Sequence, residues 1–418
     1  MKVLLVNKYH YVRGGSETYY FGLAELLRKA GHEVIFFAMQ DKKNIPCEQS
    51  EYFVSNVDFN GELSIREKVN AAVRMIYSLE AKKKISALIE KEAPDIIHIN
   101  LFHRVLTASI VDAAKKYHIP VVLTMHDLNC FCPNHTMLDH GKICEACLHG
   151  NYLNCVKRVC FKDSRAKCLM AALESEYNKL SGLYNKIDLY ITPSEFYRKK
   201  MIESGLTRNK VLCLRNFLLK NMFETEKSVG GSYYLYFGRL SEEKGVMTLL
   251  KAVQNAPKVR LEIAGTGPME QVLQDYVRNE NMDDRVHFNG FLSGKALSDI
   301  VAGAKCIVLP SEWYENGPYS IMEAMAAGKP VIVSGEGGLP EIVQDGENGY
   351  ICEAYKPKSL AECLRKIERL DERQYEQMCS NASAKATQMF CAEKYLSNLL
   401  AEYQRLTVQV TGQFRYSK

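Results

Sequence analysis

The sequence of 418 residues has no run of 18 apolar residues, so it predicts no membrane-spanning helix. It also has no low-complexity tract and no short-period repeat. With 47% hydrophobic and 25% charged residues, the composition is that of a folded protein. These features exclude disordered, collagen-like and coiled-coil proteins. The apolar run Val3–Val6 is too short for a signal peptide, and we therefore expect a cytoplasmic protein.

A complete dinucleotide-binding fingerprint is also missing. The nearest match is Gly265-Thr266-Gly267, where Glu270 stands in place of the third glycine. An oxidoreductase that binds a dinucleotide needs all three glycines and an acidic residue about 20 positions later. The sequence therefore argues against that class of enzyme.

Short apolar runs alternate with helical patterns along the whole chain, including a long one at Ala166–Asn185, and this alternation predicts parallel sheets. The length exceeds that of one ordinary domain, and the pattern indicates two consecutive doubly wound α/β domains. We place them at residues 1–208 and 209–390, followed by a final helix in residues 391–418 that can pack back on the first domain. The predicted strands are Val3–Val6, Val34–Ala38, Ile96–Ile99, Val121–Met125, Leu189–Thr192, Tyr233–Phe237, Arg260–Ala264, Val286–Phe288, Cys306–Leu309 and Val331–Ser334.

The net charge of +5 is unevenly distributed. Residues 1–208 hold 29 Lys and Arg against 23 Asp and Glu, whereas the remainder holds 25 against 26. An excess of positive charge on one domain favours an anionic partner or membrane surface, although unevenly solvated faces explain it equally well. The candidate contacts are Lys157, Arg158, Lys162, Arg165, Lys167 and Arg198-Lys199-Lys200.

Seven of the 14 cysteines fall between Cys130 and Cys168, in an apparent insertion into the first domain at about residues 130–168. Cys144-x-x-Cys147 has the spacing of a zinc knuckle. A structural zinc, reduced thiols and an iron–sulfur cluster all remain open. The candidate zinc ligands are Cys132, Cys144, Cys147, Cys155 and Cys160, with His135, His140 and His149 as alternatives.

Loops that follow predicted strands hold the candidate binding residues, because ligands of such sheets bind beyond the strands' carboxyl ends. Gly14-Gly15 opens a helix for which Ser16 is the expected N-cap, and it suits a phosphate, or forms a tight turn. Arg239 and Lys244 offer two cations for a diphosphate, or are ordinary surface charges. Gly265 and Gly267 indicate a turn that faces phosphate or base.

Two carboxylates, Glu315 and Glu323, follow the strand that ends at Leu309. Carboxylate oxygens accept hydrogen bonds from the hydroxyls of a sugar. Glu323 has a structural alternative, since Ser320-x-x-Glu323 has the pattern of a capping box. In the first domain, His126 ends a strand and can contact a substrate, with Asp127 orienting it.

Together these segments resemble the retaining nucleotide-sugar glycosyltransferases of family 4, which have the GT-B fold of two Rossmann-like domains facing across a cleft. The most specific match is Glu315-x7-Glu323 combined with the basic loop Gly238–Gly245. The further matches are Gly14-Gly15-Ser16-Glu17, Thr124-Met125-His126-Asp127, Pro193-Ser194-Glu195, Gly265-Thr266-Gly267-Pro268, Ala324–Val331 and Gly337-Gly338-Leu339-Pro340-Glu341.

The resemblance implies roles for these residues. Arg239 and Lys244 bind the donor diphosphate, Glu323 the ribose, and Glu315 the donor sugar. Gly15 approaches phosphate or acceptor, and His126 lies near the transferred sugar. The remaining donor-binding candidates are Gly265, Gly267, Asn316, Gly317, Pro318, Tyr319 and Ser320. Where the family often has Glu-Gly-Phe-Gly, this chain has Glu315-Asn316-Gly317-Pro318, and Pro318 has no N–H to donate.

The resemblance implies that a hexose is transferred to a saccharide acceptor with retention of anomeric configuration. The favoured donor is a UDP-sugar, and the acceptor is lipid-linked in many such enzymes. The resemblance extends to bacterial polysaccharide-assembly enzymes of the capsule or O-antigen type, peripheral at the inner face of the membrane. No Asp-x-Asp follows a strand, so we expect no catalytic metal or other cofactor. We expect no nucleic-acid partner. The alternatives are an epimerase or hydrolase of nucleotide sugars with the same fold, and a zinc-binding interaction module.

Overall fold

The computed structural model describes residues 1–56, 65–219 and 230–415. The chain forms two compact units. The first consists of Met1–Asp139, Cys144–Leu214 and Ala392–Lys418, and the second of His140–Ile143 and Arg215–Cys391. The C-terminal helix is therefore part of the first unit.

The first sheet has six parallel strands, five of which are buried and apolar at all positions but one. Their order is β2-β1-β3-β4-β7-β8, so β1 and β3 lie in the interior. Leu4 on β1 pairs with Ile35 on β2 and with Ile97 on β3. The strands up to residue 214 are β1 (Lys2–Val6), β2 (Glu33–Phe37), β3 (Ile96–Ile99), β4 (Val121–Thr124), β5 (Leu138–Asp139), β6 (Lys142–Ile143), β7 (Leu189–Thr192) and β8 (Lys210–Cys213).

The helices of this part of the chain differ in two places from the sequence prediction. The first helix begins at Gly15 with Gly14 as its N-cap, so Ser16 lies inside the first turn and is not the cap. The predicted single helix over 166–185 is broken at Gly182, whose φ of +68° ends the regular helix. The helices are α1 (Gly15–Lys29), α2 (Ile65–Ile76), α3 (Leu79–Glu92), α4 (Ser109–Lys116), α5 (Leu153–Arg158), α6 (Arg165–Leu180), α7 (Leu183–Lys186) and α8 (Glu195–Ser204).

The second sheet also has six parallel strands, in the order β11-β10-β9-β12-β13-β14. The chain order reverses between β9 and β12, and ligands of such sheets bind at that position. The elements are β9 (Tyr233–Phe237), α9 (Val246–Gln254), β10 (Leu261–Ala264), α10 (Glu270–Asn279), β11 (Val286–Phe288), α11 (Gly294–Ala302), β12 (Ala304–Leu309), α12 (Tyr319–Ala326), β13 (Val331–Ser334), β14 (Gly349–Cys352), α13 (Pro357–Arg369), α14 (Glu372–Met389) and, in the first unit, α15 (Ala392–Arg415).

Each unit has its own apolar core. In the second unit the buried apolar residues of β9, β10 and β12 and those of α9, α12 and α13 belong to one core. In the first unit Tyr395, Leu399 and Tyr403 lie on one buried face of α15, and α15 contacts α1. None of the described helices is both long and apolar enough to cross a bilayer.

Candidate active site

Four loops meet at the carboxyl edge of the second sheet, held together by backbone hydrogen bonds. The Gly238 N–H donates to the Ala264 carbonyl at 3.0 Å, which joins the loops after β9 and β10. The Glu312 N–H donates to the Glu243 carbonyl at 2.8 Å and joins the loops after β9 and β12. The Gly338 N–H donates to the Glu315 carbonyl at 2.7 Å and adds the loop after β13. The sheet therefore brings together segments that are 100 residues apart in sequence.

An ion pair between Lys244 and Glu315 lies at the centre of these loops. Lys244 Nζ is 2.6 Å from Glu315 Oε1, and the same oxygen accepts a hydrogen bond from Ser311 Oγ at 2.7 Å. The Lys244 ammonium also lies 5.0 Å from the centroid of the Trp313 ring. The side chain of Glu315 is 5% exposed and that of Lys244 is 18% exposed. The ammonium group is thus held in place while it keeps access to solvent.

The charge of Glu315 follows from this pairing. Burial acts to raise the pKa of its carboxyl group, but the Lys244 charge and the bonds from Lys244 and Ser311 outweigh burial and lower it. Glu315 is therefore a carboxylate at neutral pH.

The second predicted cation, Arg239, lies in the same loop but in a different environment. Its side chain is exposed, and it forms no ion pair with any residue that the structure describes. The Tyr236 hydroxyl donates to the Arg239 carbonyl at 2.7 Å, which fixes the backbone from which the side chain extends. Arg239 thus offers an unpaired guanidinium group next to the Lys244–Glu315 pair.

Glu323 does not form the capping box that its sequence pattern allows. Helix α12 begins at Tyr319 with Pro318 as N-cap, and no side chain caps it. Glu323 lies beyond the first turn and is 8% exposed, and its side chain hydrogen-bonds to no described residue. Burial alone raises the pKa of its carboxyl group to about 7. A nearly buried carboxyl group without a partner is costly in a folded protein and points to a ligand with hydroxyl groups.

The segment before α12 takes its shape from Gly317 and Pro318. Gly317 has a φ of +78°, and its carbonyl accepts a hydrogen bond from Asn216 Nδ2 at 3.1 Å. Pro318 has a φ of −69° and directs the chain into the helix. The first N–H groups of any α-helix lack partners within the helix, and here they belong to Tyr319 and Ser320. Asn316, Tyr319 and Ser320 are all partly exposed.

The glycines of the site fall into two classes that the sequence does not separate. A Cβ atom on Gly265 would lie 1.8 Å from the Gly238 carbonyl oxygen, and one on Gly267 would lie 2.2 Å from the Leu240 carbonyl oxygen. These two glycines are required because two loops pack backbone to backbone. Gly14 differs, since its extended backbone suits any residue and a Cβ atom there would meet nothing within 4 Å. At the exposed start of α1, next to Gly15, the open space is therefore available to a ligand.

Gly337, after β13, belongs to the first of these classes, which its sequence pattern did not indicate. With a φ of +67°, Gly337 lies so close to the Glu315 backbone that a Cβ atom would be 2.5 Å from its nitrogen and oxygen. Arg215 pairs with Glu341 at 2.9 Å in the 3₁₀ turn that follows. The loop after β13 therefore supports Glu315 from behind.

In the first unit, His126 lies at the carboxyl end of β4 as predicted, but Asp127 does not orient it. His126 Nε2 is 2.8 Å from Asn100 Oδ1, at the end of β3. Asp127 Oδ1 instead accepts a hydrogen bond from the Asn129 N–H at 3.0 Å. Burial lowers the pKa of His126 to about 3, so this imidazole is neutral at physiological pH. The sequence carried one signal for Asn100, its position directly after a buried strand.

The cysteine-rich segment forms a small core of its own, in which Cys147, Cys155 and Cys168 are buried with Tyr152 and Phe161. The bond from the Cys155 thiol lowers the pKa of Cys160 to about 7. Within the described residues, no three Cys, His, Asp or Glu side chains are grouped as ligands of one metal ion. The structure thus adds no support for zinc at Cys132, Cys144, Cys147, Cys155 and Cys160.

Several of the basic residues proposed to face a membrane are already paired. Lys200 is 14% exposed and lies 2.8 Å from Glu145 and 3.0 Å from Glu203. Arg158 pairs with Asp139 at 2.8 Å. These ion pairs reduce the charge that the first unit can offer to an anionic surface.

Comparison with known proteins gives matches over most of the chain. The model of Glycosyltransferase Family 4 matches residues 13–218, and that of Glycosyl transferases group 1 matches residues 219–386. An uncharacterized glycosyltransferase of Methanocaldococcus jannaschii is 27% identical over 373 residues, covering 86% of this chain and 87% of the relative. A putative colanic acid biosynthesis glycosyltransferase of Salmonella typhimurium is 25% identical over 54% of this chain and 58% of its own length. The structure of Anabaena HepE in complex with UDP has a TM-score of 0.68 at 18% identity, covering 97% of this chain and 100% of that one.

Proposed function

Since the chain belongs to the glycosyltransferases of family 4 and group 1, with the GT-B fold, we propose that it transfers a hexose from a nucleoside-diphosphate sugar to a saccharide acceptor with retention of anomeric configuration. The observation that carries the proposal is the loop cluster at the carboxyl edge of the second sheet. It combines two cations, a helix N-terminus and an unpartnered carboxyl group. These are the groups that a diphosphate and a ribose require.

The diphosphate would be bound by Arg239, Lys244 and the first N–H groups of α12. Arg239 is exposed and unpaired among the described residues, and Lys244 is held by Glu315 at 2.6 Å. When the bond between sugar and diphosphate breaks, negative charge develops on the leaving oxygen. Cations and N–H dipoles already in position stabilise that charge without reorganising, which is electrostatic catalysis.

The nucleoside and sugar would be bound by the neighbouring residues. Glu323 accepts hydrogen bonds from the ribose hydroxyls, which supplies the partner that its carboxyl group lacks in the free protein. Glu315 positions Lys244 and faces the donor sugar, whose other hydroxyls meet the segment Asn316–Ser320. Gly265 and Gly267 shape the turn beside the nucleotide. Gly15, at the exposed start of α1, allows a phosphate or the acceptor to approach the backbone closely.

We propose a front-face reaction for this site. The acceptor oxygen attacks the anomeric carbon from the side of the leaving group, and the bond from that carbon to the diphosphate oxygen breaks. The acceptor's proton passes to the departing phosphate oxygen, so no protein group is left protonated. Neutral His126 contributes a hydrogen bond to the transferred sugar. We expect no divalent cation to be needed, because Arg239 and Lys244 meet the developing charge.

The donor base we favour is uracil, which the UDP complex of the structural neighbour HepE supports. The acceptor we propose is a saccharide, lipid-linked, in the assembly of a cell-surface polysaccharide, with the protein peripheral at the membrane. The colanic acid relative supports this assignment. The exposed lysines Lys162 and Lys167 remain as candidate contacts with an anionic surface.

The test is incubation of the purified protein with a panel of UDP-, GDP- and ADP-sugars, each with and without saccharide acceptors, in EDTA. We expect nucleoside diphosphate release that depends on the acceptor, and a product whose new linkage has the anomeric configuration of the donor by NMR. Release without an acceptor at the same rate would indicate a hydrolase. A donor sugar changed at one carbon would indicate an epimerase, and no reaction with any donor would contradict the proposal.

A further inference from the structure

A continuous chain of buried hydrogen bonds lies beneath His126 in the first unit. His98 Nε2 is 2.7 Å from Thr124 Oγ1, and Thr124 Oγ1 is 3.1 Å from the Tyr19 hydroxyl. At the two ends, the Tyr403 hydroxyl bonds to His98 Nδ1 and the Tyr395 hydroxyl bonds to the Tyr19 hydroxyl. All five side chains are at most 5% exposed.

Both ends of this chain belong to the C-terminal helix α15. Tyr395 and Tyr403 are eight residues apart, a little over two turns, and therefore lie on the same face. Leu399 lies between them and is fully buried. An apolar side chain would bury equally well at either position and would need no hydrogen-bond partner, whereas a buried hydroxyl is costly without one. The hydroxyl groups therefore serve the bonds to Tyr19 and His98.

All hydrogen bonds of this buried network can form between uncharged side chains. Burial lowers the pKa of His98 to about 3, so its imidazole carries one proton at physiological pH. Each of the four hydrogen bonds needs one donated proton. The four hydroxyl groups and the single imidazole N–H supply these protons, whether each group donates toward Tyr403 or toward Tyr395. Loss of the Tyr403 hydroxyl removes the partner of buried His98 Nδ1, and loss of the Tyr395 hydroxyl removes one of the hydrogen bonds of the Tyr19 hydroxyl.

Tyr19 connects this chain to His126. The Tyr19 and His126 rings meet edge to face, with centroids 4.8 Å apart and planes at 64°. The Tyr19 hydroxyl is fixed by Thr124 and Tyr395 at the far end of the same ring. The orientation of the Tyr19 ring, and with it one wall of the His126 environment, thus depends on α15.

The tautomer of His126 follows from its other partner. Asn100 Nδ2 donates to the Val6 carbonyl at 3.3 Å, so Asn100 Oδ1 is the oxygen that faces His126. His126 Nε2, 2.8 Å away, must then carry the proton. Nδ1 is left as a hydrogen-bond acceptor, able to receive a hydroxyl group of a sugar.

We propose that Tyr395 and Tyr403 are positioning residues, which act through Tyr19, Thr124 and His98 to hold the Tyr19 ring against His126, while Asn100 sets the Nε2-protonated form of that imidazole. This inference rests on the proposed glycosyl transfer for its catalytic consequence. The C-terminal helix thereby becomes part of the catalytic apparatus and not only of the core. Because the residues of the chain are neutral, the effect is one of orientation.

The test compares Tyr395→Phe and Tyr403→Phe with Tyr375→Phe in the full-length protein. Tyr375 is a matched control, since it is 8% exposed and its hydroxyl donates to the Lys305 carbonyl at 2.7 Å in the second unit. We expect each of the two α15 variants to lower kcat about fivefold, the effect of one buried hydrogen bond, with the donor KM unchanged. Tyr375→Phe should lower the melting temperature to a similar extent and leave kcat unchanged.

The second measurement is the ¹⁵N NMR spectrum of histidine-labelled protein without donor, with His126 assigned from His126→Gln. We expect an Nε2-protonated signal in the wild type that changes its chemical shift in the α15 variants, because the Tyr19 ring facing His126 changes orientation, and that stays in place in Tyr375→Phe. An unchanged His126 signal together with an unchanged kcat would overturn the positioning role, and if one variant fails to fold, the other decides. The spectrum needs no donor, so a wild type that transfers no sugar contradicts the proposed function separately.

Discussion

The carboxyl edge of the second sheet carries charge, in the Lys244–Glu315 pair and the exposed Arg239, whereas the carboxyl edge of the first sheet carries neutral groups in a hydrogen-bonded network around His126 and His98. Both edges are built by parallel strands with similar buried cores. The difference lies in the loops, and it indicates two separate tasks. Charge in the second unit suits a leaving diphosphate, and fixed neutral dipoles in the first suit orientation of a sugar.

From this comparison we predict that stability and activity are most sensitive to the charge of Lys244, which is paired with the buried Glu315. Lys244→Met should leave the Glu315 carboxylate without its partner, raise its pKa, and lower the free energy of unfolding by about 3 kcal/mol. Transfer activity should fall about 100-fold with the loss of a group that stabilises the transition state. Urea denaturation and the rate of nucleoside diphosphate release measure the two effects. Lys258→Met, at an exposed lysine of the same unit, is the control and should change neither.

The glycine that joins the loops after β9 and β10 should be the next most sensitive position. Gly265→Ala places a Cβ atom 1.8 Å from the Gly238 carbonyl oxygen at a φ of +143°. We expect a loss of about 3 kcal/mol of stability from overpacking and backbone strain. Gly346→Ala, at a φ of +81° with nothing within 4 Å, carries the strain without the clash and should lose about 1 kcal/mol. Equal losses would show that the close approach of the loops is not what requires Gly265.

Substitution of Arg239 should change donor binding without changing the stability of the fold. Because its side chain is exposed, Arg239→Ala should leave the melting temperature unchanged. Loss of charge-assisted hydrogen bonds to the diphosphate should weaken donor binding by about 2 kcal/mol, roughly 30-fold. Calorimetric titration with UDP-glucose measures this, with the exposed Arg260→Ala as control. Unchanged affinity would remove Arg239 from the diphosphate site.

The smallest effect we predict is on pH dependence and concerns Glu323. Burial raises the pKa of its carboxyl group to about 7, and the carboxylate is the form that accepts hydrogen bonds from two ribose hydroxyls. Donor affinity should therefore be full above pH 7 and fall as the pH drops below it, about tenfold between pH 8 and pH 6. UDP-glucose is the suitable ligand, because its phosphates are diesters that do not titrate in this range. The profile of Glu323→Gln should be flat, and a flat wild-type profile would argue against ribose binding by Glu323.

Strands were more predictable than the details of the site. Buried parallel strands such as Ile96–Ile99 and Tyr233–Phe237 are largely apolar runs between polar loops, and the structure has them at the predicted bounds. The edge strand Lys210–Cys213 was missed, because its residues are only partly buried and its pattern is weak. Local propensity also failed at Ser16 and Ser320, since each serine is the second residue of its helix and the N-caps are Gly14 and Pro318.

The predicted donor residues lie on the loops where the sequence placed them, but their partners could not be derived from spacing. That Glu315 pairs with Lys244, 71 residues earlier, depends on β9 and β12 being neighbours in the sheet. That Asn100 and not Asp127 orients His126 depends on the register of β3 against β4. The role of α15 was outside the reach of sequence reasoning, because Tyr395 and Tyr403 read as core residues of an amphipathic helix.

The most direct test of the account is calorimetric titration of the wild type, Lys244→Met and Glu323→Ala with UDP, GDP and ADP. The account predicts one site per chain for one of these nucleotides, UDP by preference, with affinity reduced at least tenfold in both variants. Binding of none of the three to the wild type, or equal affinity in all three proteins, would contradict the assignment of the second unit's carboxyl edge as the donor site.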